Sequence, residues 1–413
     1  MNTLTPRLCI LLLAATLCQA QTPKVKTGIE VLQESNFALL QGKRVGLITN
    51  PTGVDSRLRA TADILAEAKN VILVALFGPE HGVRGTIPAG EYIEHAVDSA
   101  TSLPVYSLYG KTRKPTREML KDIDVLVYDI QDIGVRSYTF ISTLGLAMEA
   151  AAENNVDFVV LDRPNPLGGQ RIEGNIVEKG FESFVSPYPI PYIYGLTCGE
   201  LARMLNAEKM LPNGVQCKLT VVPMQGWKRS MTFEQTGLPW VPPSPHIPEA
   251  TTAWYYAASG IAGELSVFSV GIGYTLPFRT FAAEWIDPLQ FARRLNGLGL
   301  KGVLFRPITY KPFYGKHKDK TLGGVQLHIT DYALAPLMSL QFYCMQVHHQ
   351  LYPDRNPFAL ADSSRVAMFD RVVGSARVRT LLMQRMIYND VRDFLEKDID
   401  QFRKKSQSYW LYR

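Results

Sequence analysis

From Arg44 onward the chain alternates short apolar runs with longer amphipathic stretches. The runs fall at residues 45–49, 71–77, 105–108, 125–128 and 158–161. They are almost uninterruptedly apolar, as strands covered on both faces of a parallel sheet must be. Residues 60–69 and 138–153 between them carry the helical period. The order β-α-β-α-β predicts an α/β fold built on a doubly wound parallel sheet. A proline-rich stretch, LPWVPPSPHIPE at 238–249, then breaks the pattern. That break places a first domain at 24–248 and a smaller α+β domain at 249–413. In the second, a Gly-rich stretch at 260–277 precedes a helix at 288–295, an apolar helix at 333–351 and charged C-terminal helices.

Ligands of doubly wound sheets sit outside the carboxyl ends of the strands. The residues that follow the five runs are Asn50, then Glu80 and His81, Tyr109, then Asp129, Gln131 and Asp132, and finally Asp162 and Arg163. The second group lies in FGPEHGVRG (77–85), where glycine and proline account for the turn but not for Glu80, His81 and Arg84. The fourth lies in YDIQDIGVRSYTF (128–140), which adds Arg136 and Tyr138. A carboxylate ending a buried strand is costly unless paired or used, and paired carboxylates are the apparatus of glycosidic cleavage. Asp132 alternatively favours a helix N-terminus, and Asp162 with Arg163 is equally readable as a structural ion pair. Cys198 has the look of a nucleophile, but Thr197 and Glu200 form a capping box around it.

Of 413 residues, 46% are hydrophobic and 20% charged, with net charge +6, an ordinary globular composition without the basic stripe of a nucleic-acid binder. Residues 1–20 read as a secretory signal peptide: one Arg, an apolar stretch at 8–17 too short to span a bilayer durably, and a small-x-small site ending at Ala20. A lipoprotein anchor at Cys18 is disfavoured by Leu17. The expected protein is exported, periplasmic or secreted, without stable membrane insertion. Cys198, Cys217 and Cys344 then remain, enough for one disulfide at most. The turn after the first strand lacks the dinucleotide fingerprint, and HExxH, GxSxG and CxxC are absent, so neither cofactor nor metal is expected. His328, His348 and His349 are read as surface residues. Oligomeric state is not legible.

FGPEHGVRG, YDIQDIGVRSYTF, LDRPNPLGG (161–169), YGLT (194–197) and the SP-x-IP element at 244–248 together resemble the exo-β-N-acetylmuramidases, the NamZ-like glycoside hydrolase family 171. The resemblance covers nearly the whole mature chain. It implies a Rossmann-like N-terminal domain, a smaller C-terminal domain and an active site in the cleft between them. The implied activity releases N-acetylmuramic acid from the non-reducing ends of peptidoglycan fragments, in cell-wall turnover or recycling. It also implies a catalytic role for Glu80. Ile272-Gly-Tyr-Thr275 departs from the Arg-Gly-Thr that many members carry.

The expected roles follow. Glu80 is general acid or acid/base, and Asp129 or Asp132 is the second carboxylate. Asn50, His81, Arg84, Gln131, Arg136, Tyr138, Asp162 and Arg163 bind substrate. Arg84, Arg136 or Arg163 pairs with the lactyl carboxylate, Arg84 facing the sugar. The rivals are a metal-dependent hydrolase using Glu80, His81, Asp129 and Asp132, and a non-catalytic protein that holds cell-wall glycan.

Overall fold

The computed structural model describes residues 25–85 and 95–413. The expected signal peptide lies outside the described residues. The first sheet comprises β1 (Arg44–Thr49), β2 (Ile72–Gly78), β3 (His95–Val97), β4 (Pro104–Ser107), β5 (Val125–Asp129), β6 (Asp157–Leu161) and β7 (Leu219–Val222), in the order β3-β4-β2-β1-β5-β6-β7. All neighbours are parallel except β3, which runs antiparallel to β4 at the edge. The five expected strands are present. The other two, β3 and β7, are short edge strands whose apolar runs are too brief to stand out.

The apolar runs are explained by which side each residue serves. Along β5, Val125 and Val127 enter the core under α1 (Gly28–Glu34) and α2 (Thr61–Glu67), while Leu126 and Tyr128 enter the core on the opposite face. Successive strand side chains point to opposite faces, so a strand covered twice must be apolar at every position. After α3 (Arg117–Leu120), the second face is covered by α4 (Phe140–Glu153) and α5 (Cys198–Ala207). The strand order reverses about β1, which opens a crevice above β1, β2 and β5.

The second domain holds a three-stranded antiparallel sheet, ordered β8-β10-β9, of β8 (Thr280–Ala283), β9 (Val303–Tyr310) and β10 (Leu322–Ile329). Against it pack α6 (Thr252–Glu264), α7 (Pro288–Asn296) and α8 (Leu337–Leu351), followed by α9 (Pro357–Leu360), α10 (Ser363–Val373), α11 (Arg377–Arg385), α12 (Asn389–Glu396) and α13 (Ile399–Ser406). The expected Gly-rich stretch begins inside α6, and the apolar helix starts four residues late because Pro336 occupies its N-cap. His348 is buried on α8, not exposed as expected. It accepts from Trp285 Nε1 at 2.9 Å, and burial lowers its pKa to about 4, so it is a neutral core imidazole. Cys198, Cys217 and Cys344 are buried and unbridged. Among the described residues, no helix is long and apolar enough to cross a membrane.

The chain's end returns to the first sheet. Phe402 of α13 joins the core that holds Phe158, and Tyr412 packs with Val25, Met224 and Trp227.

The two domains meet on the segment after β5. Ile130 belongs to the first core, while Ile133 and Val135 belong to the core of the second domain. Arg136 follows, 0% exposed. Its Nη1 donates to the carbonyls of Asn175 (2.8 Å) and Ile190 (2.6 Å), its Nη2 to those of Val372 (3.0 Å) and Val373 (2.7 Å) at the end of α10, and its Nε to Ser186 Oγ (3.2 Å). Burial without a carboxylate lowers its pKa to about 9, still above neutrality, so it remains a cation. Arg136 is therefore a clamp between domains, and the expectation that it binds substrate is corrected. Arg136→Met would leave buried carbonyls without donors, each costing ~1–3 kcal/mol and not additively. The expected loss is about 3–5 kcal/mol, read as a lowered urea midpoint. A loss below about 1 kcal/mol would contradict the clamp.

Candidate active site

The turn after β2 is folded tightly on itself. A Cβ at Gly78 would lie 2.9 Å from the Gly82 Cα, so the strand cannot end there with a larger residue. His81 sits at φ +73°, in the left-handed region, a strain of order 1 kcal/mol for a residue with a side chain. The turn projects Glu80, half-buried, toward Tyr109 just past β4. The Tyr109 hydroxyl lies beside the Glu80 carboxylate. Burial and the nearby carboxylate push Tyr109 up to about 12, which keeps it a protonated donor. His81 lies close enough to His246 to lower the latter's pKa, after burial, and His246 Nε2 meets the Tyr314 hydroxyl at 2.8 Å.

Asp132 is fixed from the other side. One oxygen accepts from Gly134 N (2.7 Å) and from the Tyr194 hydroxyl. Gly134 has φ +78°, and a Cβ there would strike Asn165 Oδ1 at 2.2 Å, so only glycine permits this hold. The other oxygen, Oδ1, has no hydrogen-bond partner among the described residues, although Asp132 is 6% exposed. Burial raises its pKa to about 6, against the donors that favour the ion. The Tyr138 hydroxyl is influenced by both Asp132 and Glu80. Ser244 stands beside it, too poorly aligned for a hydrogen bond by strict geometry. Glu80, His81, Tyr109, Asp132, Tyr138, Ser244 and His246 thus share one crevice.

The remaining candidates hold the protein together. Arg84 reaches Asp98 through Nε (2.8 Å) and Asp63 through Nη2 (2.6 Å), so the expectation that it faces the sugar is corrected. Its guanidinium holds Asp98 well below the usual carboxylate range. Arg163 grips Asp129 with two nitrogens, one at 2.9 Å, and also reaches the Val54 carbonyl, while Thr61 donates to Asp129. Asp129, 1% exposed, is satisfied by this pair, and neither residue is available to substrate. Asp162 accepts from Thr197, Tyr412, Gly199 N and Arg163 N. It anchors α5 and the chain terminus, and burial raises its pKa to about 6. Asn50 Oδ1 accepts from Thr52 N at 3.0 Å and shapes the turn after β1. Gln131 Nε2 bridges the carbonyls of Asp132 (2.7 Å) and Pro164 (2.6 Å), a brace for the Asp132 loop. Cys198 follows a complete Thr197–Glu200 capping box, and burial pushes its thiol far up, away from nucleophilic use.

Tyr109, Tyr194, Ser244 and His246 were not among the expected site residues. Tyr109 stood directly after a strand and was legible by position. Ser244 and His246 lie in the proline-rich stretch that marks the domain boundary, within the SP-x-IP element, where prolines rather than polar side chains dominate the pattern.

Carboxyls gathered at the switch point of a parallel sheet, among tyrosines and imidazoles, mark the candidate active site of this two-domain α/β protein. Two family models cover the chain in succession, exo-β-N-acetylmuramidase NamZ N-terminal at 45–251 and C-terminal at 254–412. The peptidoglycan β-N-acetylmuramidase NamZ of Bacillus subtilis (strain 168) is 43% identical over 393 residues, spanning 95% of this chain and 92% of that protein. A crystal structure of a DUF1343 family protein from Bacteroides fragilis NCTC 9343 is 61% identical with TM-score 0.91, covering 94% of this chain and 99% of its own. A second from the same organism is 28% identical with TM-score 0.75, at the same coverages. The chain belongs to the exo-β-N-acetylmuramidase NamZ family.

A carboxyl whose folded pKa lies above its unfolded value binds more protons folded than unfolded between the two. For Asp132 that window runs from 3.8 to about 6, and across it the group destabilises the fold as pH rises. Asp132→Asn should therefore melt above wild type at pH 7, by up to ~3 kcal/mol, and the gap should close by pH 4. Asp162 contributes the same slope to both proteins and cancels. Parallel melting curves from pH 4 to 7 would show that Asp132 is not a strained acid.

Proposed function

We propose that the protein is an exported exo-β-N-acetylmuramidase that removes N-acetylmuramic acid from the non-reducing ends of peptidoglycan fragments during cell-wall turnover. Export is supported by the apolar leader at 1–20, and the substrate by the activity named for the B. subtilis relative. The observation that carries the reading is that Glu80 and Asp132 share one crevice, both acting on Tyr138, with Tyr109 beside Glu80 and Tyr194 bonded to Asp132.

Glu80 is the carboxyl that substrate can reach, and its role is to protonate the glycosidic oxygen as the bond breaks. Asp132, whose Oδ1 has no hydrogen-bond partner among the described residues, is the second carboxylate. With a pKa of about 6 it is mostly ionised at neutral pH and stabilises the positive charge that develops at the anomeric carbon. Tyr109 and Tyr194 orient the two groups rather than react. The metal-dependent alternative is less well supported, because Asp129 already accepts from Arg163 and Thr61. Among the described residues, no three His, Cys, Asp or Glu are arranged to hold a metal ion.

The test is release of N-acetylmuramic acid from a peptide-free muramyl disaccharide. Wild type should release it, and Glu80→Gln should lose roughly 10²–10⁴-fold in kcat with KM little changed. Absence of release by wild type would overturn the activity. Near-normal turnover by Glu80→Gln would overturn its assignment alone.

A further inference from the structure

Arg84, Arg136 and Arg163 are all bonded within the protein, so an anionic sugar needs its positive partner from elsewhere in the cleft. On the second domain, beside the site, lies a cavity of about 340 Å³. Two of its lining residues reach residues of the crevice. His246 neighbours His81, and Tyr256 packs edge-on against Tyr138 with ring centroids 5.8 Å apart. Ile272 lends the cavity an apolar wall, and the loop between β9 and β10 brings Lys316 and His317 to its rim.

The charges in this cavity do not cancel. Arg365 of α10 stands 3.9 Å from Glu264 of α6, which neutralises both. Lys316 has no carboxylate partner among the described residues. His317 Nε2 is buried there without a hydrogen-bond partner. A site with an apolar wall, one uncompensated ammonium and an unused imidazole nitrogen suits a small group that combines a methyl with a carboxylate.

We propose that this cavity is the subsite for the lactyl ether of the muramic sugar, its methyl against Ile272 and its carboxylate on Lys316 and His317. The identity of the sugar rests on the function proposed above. The location of the anion subsite rests on the cavity. Lys316 is then a specificity residue contributed by the second domain.

Binding separates this inference from the catalytic reading. Calorimetric titration of Glu80→Gln with N-acetylmuramic acid and N-acetylglucosamine should show preference for the acid. Adding Lys316→Met should shrink the affinity ratio at least tenfold, and Lys316→Arg should restore most of it. Lys316 is exposed, so neither change threatens the fold. Arg113 is the competing cation, exposed near Tyr109 and stacked on Phe184 at 4.3 Å. A ratio that survives Lys316→Met, or that collapses on Arg113→Gln instead, overturns the proposal, as does equal binding of the two sugars. Failure of wild type to cleave muramyl disaccharide would sink the activity, and the binding ratio would still decide the subsite.

Discussion

A guanidinium buried with no carboxylate must find an acceptor for nearly every N–H it carries, and Arg136 finds five. Those acceptors come from two separate stretches of chain: residues 175–190, which include the Ser186 hydroxyl that itself donates to Val372, and the end of α10. Satisfying the cation therefore fixes the second domain against the first. Because Arg136 lies four residues after Asp132, the same constraint fixes the loop that carries the buried acid. Ile133 and Val135 anchor that loop in one core and Ile130 in the other. Asp132 is thus held between two cores rather than on a free loop.

Around this clamp, charge at the sheet edge divides into two populations. Arg163–Asp129, Arg84 with Asp63 and Asp98, and Arg229–Glu200 are closed on themselves. Buried pairs of this kind add little net stability, but breaking one leaves an uncompensated charge, so they serve as rigid struts. What the struts leave outside these pairs is an oxygen of Asp132 without a donor among the described residues and Glu80 beside Tyr109. Burial raises the pKa of Asp132 as it raises that of the fully bonded Asp162, so what sets Asp132 apart is its unbonded oxygen.

The fold was legible where burial imposes a pattern. Strands β1, β5 and β6 read as apolar runs because both faces are covered, and the strands' carboxyl ends point to the edge where Glu80 and Asp132 both act on Tyr138. Short edge strands such as β3 and β7 carry too little pattern, and α6 was concealed by Gly260 and Gly263 in its last turns. The arginines failed for a different reason. Whether Arg84 faces a ligand depends on Asp63 and Asp98, whose approach is set by tertiary packing, and no local spacing encodes it. His246 was missed because prolines dominate the pattern at the domain boundary, while the fold brings it near His81.

The central claim is that Asp132, and not its neighbour Asp129, works with Glu80. Single-turnover release of the sugar by Asp132→Asn, with wild type and Asp129→Asn alongside, tests it most directly. Asp132→Asn should be folded yet slowed by roughly two orders of magnitude or more, while Asp129→Asn should lose mainly stability. A folded Asp132→Asn that turns over within a few-fold of wild type would contradict it.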